Sequence, residues 1–297
     1  MKKVRRNEGI MKNISLEKKS IIVNNISKRY DGFSLENISF NLPKGCIMGF
    51  IGENGAGKST TIKIILDMVK QETGNVSVLG DSAKNANIRE DIGVVFDEGC
   101  FPDDMNADNL KASFKYIYKN WDSNLYDDYL KRFAIPHKKN MKDFSRGMKM
   151  KLAIAVALSH KAKLLVLDEA TSGLDPIVRE QILDVFMEFI QNEENSILLS
   201  SHIVSDLEKV CDYITFIHEG KILLSKEKDL LMEEFGLLKC SKKELENVPK
   251  DSIERVRENQ FGVEALVKRN KIGRNFTVDK ATLEDIMLFM IRGNKVC

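Results

Sequence analysis

A chain of 297 residues, 43% hydrophobic and 30% charged, has the balance of an ordinary globular protein, which excludes disordered and fibrous classes. Its formal charge of +2 lacks the basic excess of a nucleic-acid binder, so no nucleic-acid partner is expected. Five scattered cysteines (Cys46, Cys100, Cys211, Cys240 and Cys297) show neither CxxC nor zinc spacing, which argues against a disulfide scaffold and for a reducing, cytoplasmic compartment.

Residues 1–20 are rich in Lys and Arg without periodicity and read as a flexible basic tail, with Met11 as an alternative start. No apolar core follows this stretch, so no secretory signal is expected. Strand patterns occupy residues 21–42, where Ile38, Phe40 and Leu42 alternate with Ser39 and Asn41, and Pro43-Lys44-Gly45 marks a turn. An apolar run over 47–51 reads as a buried strand, and 61–69 has helical spacing. Further strands are expected at 74–79 and 92–96. The pattern then changes: 97–104 is an acidic loop, and helices are expected over 107–118, 124–133 and from Ser145 through Leu158. The apolar part of the last helix, 152–158, is far shorter than the stretch of about 20 residues that a bilayer span needs. Apolar strands return at 164–167, 196–200 and 213–217, alternating with helices, and Glu219-Gly220 makes a hairpin turn. This alternation predicts a mostly parallel sheet covered on both faces, with a helical insert over about 97–160. Residues 226–297 are more charged, close on an amphipathic helix over 282–291, and read as a small C-terminal appendage.

Between the strand at 47–51 and the helix at 61–69 lie Gly52, Glu53, Asn54, Gly55, Ala56, Gly57, Lys58, Ser59 and Thr60, which fit the phosphate-loop pattern G-x-x-x-x-G-K-[ST]. Glycines there let backbone N–H groups curl around an anion, and the helix start adds donors and a positive dipole end. Lys58 is expected to reach the terminal phosphates, and the Ser59 hydroxyl to ligand Mg²⁺. The strand at 164–167 ends in Asp168 and Glu169, at the edge of an open α/β sheet where ligands collect. Asp168 suits Mg²⁺, and Glu169 suits a general base that polarises a water. Four other features taken singly have plain structural readings. Ser145-Arg146-Gly147-Met148 opens a helix with a cap, Asp175 precedes a proline helix start, His202 follows a strand, and Tyr30 suits packing.

In this order the motifs resemble the nucleotide-binding subunits of ATP-binding-cassette (ABC) transporters, over about residues 21–225. The resemblance implies an α/β P-loop NTPase (RecA-like) core with a mostly parallel sheet, an N-terminal antiparallel β-subdomain, an inserted α-helical subdomain and a small C-terminal extension. It makes residues 52–60 the Walker A loop, Asp168-Glu169 the end of Walker B and Ser172-Gly173-Leu174-Asp175 the D-loop. His202 becomes the switch histidine, Tyr30 the aromatic that stacks on adenine, and Phe144-Ser145-Arg146-Gly147-Met148 the family signature. It further implies ATP and Mg²⁺ as ligands and an ATP sandwiched between the phosphate loop of one chain and Ser145 and Gly147 of a second, identical or homologous chain. A separate integral-membrane permease would dock near residues 97–135 and hold the subunit on the cytoplasmic face of the membrane.

Two positions depart from the family pattern. Its signature usually reads Leu-Ser-Gly-Gly-Gln, so Arg146 stands where glycine is usual, as in bacterial exporter-type subunits. The family's Q-loop glutamine falls at Asp97, a carboxylate still able to ligand Mg²⁺ but adding negative charge near phosphate. Arg146-Gly147-Met148-Lys149 and the C-terminal extension are similar to multidrug or antibiotic exporter subunits, although nothing names the cargo. Two other classes compete. A DNA- or ribosome-acting ABC ATPase would carry coiled-coil insertions or a second cassette, neither of which is present. A regulatory module with a dead ATPase would not need Lys58, Ser59, Asp168, Glu169 and His202 together.

Overall fold

A computed structural model describes residues 19–97, 101–260, 262–273 and 275–294. Most of the basic tail with Met11, part of the acidic loop, and Cys100 and Cys297 lie outside the described residues. Lys19 and Ser20 do not belong to the tail: they begin β1 (Lys19–Tyr30), where Lys19 pairs with Pro43. β1 runs antiparallel to β2 (Phe33–Pro43) across the two-residue turn Asp31-Gly32, where Gly32 takes a positive φ of 77° at the second turn position, a conformation that favours glycine.

β3 (Ile47–Ile51) is buried throughout and feeds the phosphate loop into α1 (Lys58–Ile65). The helix starts three residues earlier than its apolar spacing suggests, because Gly57 at φ 109° turns the chain directly into it. β4 (Thr73–Val78) and the short β5 (Asp81–Ser82) join the hairpin in one antiparallel sheet of order β2-β1-β4-β5. After β6 (Ile92–Val95) come α2 (Ala107–Ile117), α3 (Ser123–Arg132) and α4 (Arg146–Ser159), which pack on one another as the helical insert. Asn106, Asp122 and Ser145 cap them in turn, each accepting a backbone N–H of the first turn.

The core resumes with β7 (Leu164–Asp168), α5 (Pro176–Phe189), β8 (Ser196–Ser201), α6 (Val204–Val210), β9 (Tyr213–His218) and β10 (Lys221–Glu227). These strands form a sheet of order β10-β9-β3-β8-β7-β6. Every pairing in it is parallel except that of β10 with β9. β3, β7 and β8 are buried at every residue, as strands covered on both faces should be. The mixed α/β architecture expected from the alternating pattern is therefore present, with the carboxyl ends of β3, β7 and β8 side by side.

The C-terminal segment holds α7 (Lys228–Glu234), β11 (Phe235–Cys240), α8 (Lys242–Leu245), β12 (Ile253–Asn259), β13 (Gly262–Lys268), β14 (Val278–Lys280) and α9 (Leu283–Arg292). Its strands make a third sheet, of order β12-β13-β11-β14, within the segment whose composition marks only a charged appendage. The two faces of that sheet have different fates. Leu238, Val263, Ala265 and Val267 form a small separate cluster. Phe235, Leu237 and Leu266 on the other face merge with the main core, as do Leu283, Ile286 and Phe289 of α9.

Candidate functional site

The loop after β3 is shaped by its glycines. A Cβ at Gly52 would fall 2.5 Å from the Ile217 carbonyl oxygen, so no larger residue passes there. Gly57, with its positive φ, aims the first N–H groups of α1 at the loop's hollow. Lys58 is buried and folds back over the loop: its Nζ donates to the carbonyls of Gly52 (2.7 Å) and Glu53 (3.2 Å). The same ammonium stands 3.2 Å from Glu169 Oε1, a close approach whose angle falls short of a hydrogen bond. Ala56 does not join the hollow but is buried, and its carbonyl accepts the Gly220 N–H at 3.0 Å.

A cavity of about 1080 Å³ opens above this loop, and Phe33, Lys58, Ser59, Asp97, Asp168 and Glu169 are among its walls. Parallel pairing of β7 with β8, in register Asp168 to Ser200, brings the two strand ends together there. Asp168 is buried, and its Oδ1 has no hydrogen-bond partner. Glu169 sits at φ 54° with its N–H donating to the Ser200 carbonyl at 3.0 Å. Its Oε2 lies 2.7 Å from His202 Nδ1, so the carboxyl is held between Lys58 and His202.

This donor set fits Mg²⁺ held jointly with phosphates. Asp168 presents an unpartnered buried oxygen, and the Ser59 hydroxyl lines the same wall. No group of three His, Cys, Asp or Glu side chains among the described residues makes a cage for a metal.

The signature residues lie elsewhere. Ser145 caps α4 by accepting the Met148 N–H at 3.2 Å, which leaves its hydroxyl proton free to donate. Ser145, Arg146, Gly147 and Met148 line a second cavity of about 270 Å³, shared with Gly173, Leu174 and Asp175. Asp175 caps α5 through the Val178 N–H at 3.0 Å, with Pro176 in the first turn. Arg146 also pairs through Nη2 with Asp97 Oδ1, and Asp97 lines the first cavity.

Tyr30, expected to stack on adenine, stands at the tip of the β1–β2 hairpin. It does not line the cavity: the Lys28 ammonium lies 5.6 Å from its ring centroid, and the side chain is 46% exposed. Phe33, its direct cross-strand partner, lines the cavity instead. The Asp31-Gly32 turn was the signal that could have pointed to Phe33, because it sets an aromatic on each side of a hairpin tip.

A model of the ABC transporter family matches residues 35–172. The chain is 36% identical over 211 residues to the lantibiotic transport ATP-binding protein SrtF of Streptococcus pyogenes, covering 70% of this chain and 90% of SrtF. It is likewise 36% identical over 195 residues to the bacitracin transport ATP-binding protein BcrA of Bacillus licheniformis, covering 64% of this chain and 63% of BcrA. Among solved structures it resembles CbiO1 from Clostridium perfringens, part of an ABC transporter complex, with TM-score 0.60 and 26% identity over 72% of this chain and 91% of that one. Likeness along nine-tenths of a relative's length, on a fold whose cavity is lined by the phosphate loop and the end of β7, means that the chain belongs to the ATP-binding proteins of the ABC transporter family.

Proposed function

We propose that this chain is the ATP-hydrolysing subunit that powers export of a drug, peptide or lipid-like compound through a separate membrane permease. One observation carries the two-chain form of that reading. The phosphate loop and the signature residues open into two different cavities of the same chain. A single ATP therefore meets both only when a second chain brings its own Ser145 and Gly147. Arg146-Gly147-Met148-Lys149 and the C-terminal extension, together with likeness to proteins named for lantibiotic and bacitracin transport, support the export direction.

The chemistry is one of positioning and charge neutralisation. Loop N–H groups, Lys58 and the Ser59 hydroxyl hold the phosphates. The Ser59 hydroxyl and the Asp168 carboxylate, and Asp97 once released from Arg146, would hold Mg²⁺, which would supply further positive charge at the phosphates. A bound triphosphate competes for the Lys58 ammonium that now faces Glu169. Glu169, freed from that contact, accepts a proton from the attacking water, and His202 orients its carboxyl through the Nδ1 contact.

The permease contact is read from a groove of about 440 Å³ lined by Met68, Ile88, Phe96 and Tyr118. Phe96 and Met68 also line the nucleotide cavity, so a segment seated in the groove touches the walls of the ATP site. Tyr116 and Ile117, at the end of α2, are exposed apolar side chains on the same helical insert. No helix among the described residues is long and apolar enough to cross a membrane. Affinity purification of the chain from detergent-solubilised membranes tests this: a polytopic membrane protein in the complex that raises its ATPase rate is expected. An ATPase recovered with DNA or ribosomes and without any membrane protein would contradict the assignment.

A further inference from the structure

We infer that Asp97 and Arg146 form a positioning pair that ties the signature segment, offered to a second chain's ATP, to the state of the chain's own nucleotide cavity. The inference rests on the two-chain reading above. Asp97 lies two residues past the end of β6 and lines the nucleotide cavity. Arg146 opens α4 between Ser145 and Gly147. Its guanidinium pairs with the Asp97 carboxylate and also covers Gly173 of the D-loop, where a Cβ would stand 3.1 Å from Arg146 Cζ.

The contact is not isolated. One turn along α4, Lys149 Nζ donates to Asp103 Oδ1 at 3.2 Å. The backbone joins the same two segments, with Met141 N–H to the Met105 carbonyl at 2.8 Å and Lys142 N–H to the Asp103 carbonyl at 3.0 Å. Asp97, Asp103 and Met105 are therefore each joined to the segment that leads into and opens α4, with carboxylates on one side and cations on the other. The two departures from the family sequence are the two halves of one ion pair. Each leaves a charge near phosphate when alone; paired, they are neutral.

Both side chains are about half exposed, at 49% and 43%, so the pair adds little to stability. Its effect is directional. A triphosphate entering the cavity repels the Asp97 carboxylate. Through the pair, that displacement reaches Arg146 and so Ser145 and Gly147, the groups presented to the other chain.

The test uses the full chain and charge exchange: Asp97→Arg, Arg146→Asp and the double exchange, each alone and on Glu169→Gln. Fluorescent-nucleotide titration of the monomer, ATP-driven dimerisation by sedimentation, and kcat and KM for ATP are measured. Each single reversal is expected to leave melting temperature nearly unchanged while weakening dimerisation and lowering kcat by about tenfold or more. The double exchange is expected to recover both to within about threefold of the parent. A double exchange as impaired as the sum of the single reversals overturns the pair while leaving the sandwich intact. Failure of the Glu169→Gln parent to dimerise with ATP overturns the sandwich reading, and the positioning pair falls with it.

Discussion

Glu169 is held at φ 54°, a backbone region that non-glycine residues seldom adopt and that collects at functional sites. The strain puts its carboxyl between Lys58 Nζ and His202 Nδ1 instead of letting it trail into solvent. On this account Glu169→Gln keeps ATP binding and lowers turnover by roughly 10²- to 10⁴-fold, the usual contribution of a general base; steady-state phosphate release at saturating ATP measures it, and near-parental turnover would remove Glu169 from that role. A second prediction at this scale separates two aromatics. Phe33 lines the cavity and Tyr30 does not, so Phe33→Ala should weaken ATP binding by the roughly 1–3 kcal/mol of a lost stacking contact, while Tyr30→Ala changes it less. Isothermal titration of the two variants gives the order; the reverse order would return the stacking role to Tyr30.

Elements explain what was legible and what was not. The phosphate loop could be read because every requirement is local: a buried strand, glycines at fixed offsets and a helix start. Asp168 and Glu169 could be read for the same reason, as the end of a fully apolar strand. Long-range pairings left no such mark. Arg146 and Asp97 are 49 positions apart and meet only because α4 packs beside the loop that follows β6. The strands of the third sheet were hidden by their composition, since β12 mixes charged residues into a short alternation and β14 spans three residues. Arg179 was also invisible as a partner. It donates to the Leu174 carbonyl at 3.0 Å and faces Asp206, buried at 2% exposure, at 3.7 Å, joining α5 to the helix that follows His202. Arg179→Met should therefore leave a buried carboxylate without its cation and destabilise the chain by about 2 kcal/mol. Urea unfolding measures this; an unchanged midpoint would mean that solvent already compensates Asp206.

For the whole molecule, the C-terminal segment is continuous with the main core on one face. Phe289 is 2% exposed within the main cluster and lies under the Arg257 guanidinium, 5.5 Å from its ring centroid. Phe289→Ala should thus lower stability by about 3–5 kcal/mol and shift one common unfolding transition; scanning calorimetry showing an early separate transition, with the main one unmoved, would make the segment an independent unit.

The central claim is that one catalytic site is assembled from two chains, with the phosphate loop of one facing the signature of the other. Mixing two inactive variants tests it most directly. Lys58→Ala disables the phosphate loop and keeps the signature; Ser145→Arg disables the signature and keeps the loop. In a two-fold dimer formed at random from an equal mixture, half the dimers are mixed and each carries one complete site, so the ATPase rate should rise from near zero toward about a quarter of the parental rate. A mixture no more active than either variant alone would contradict a site shared between chains.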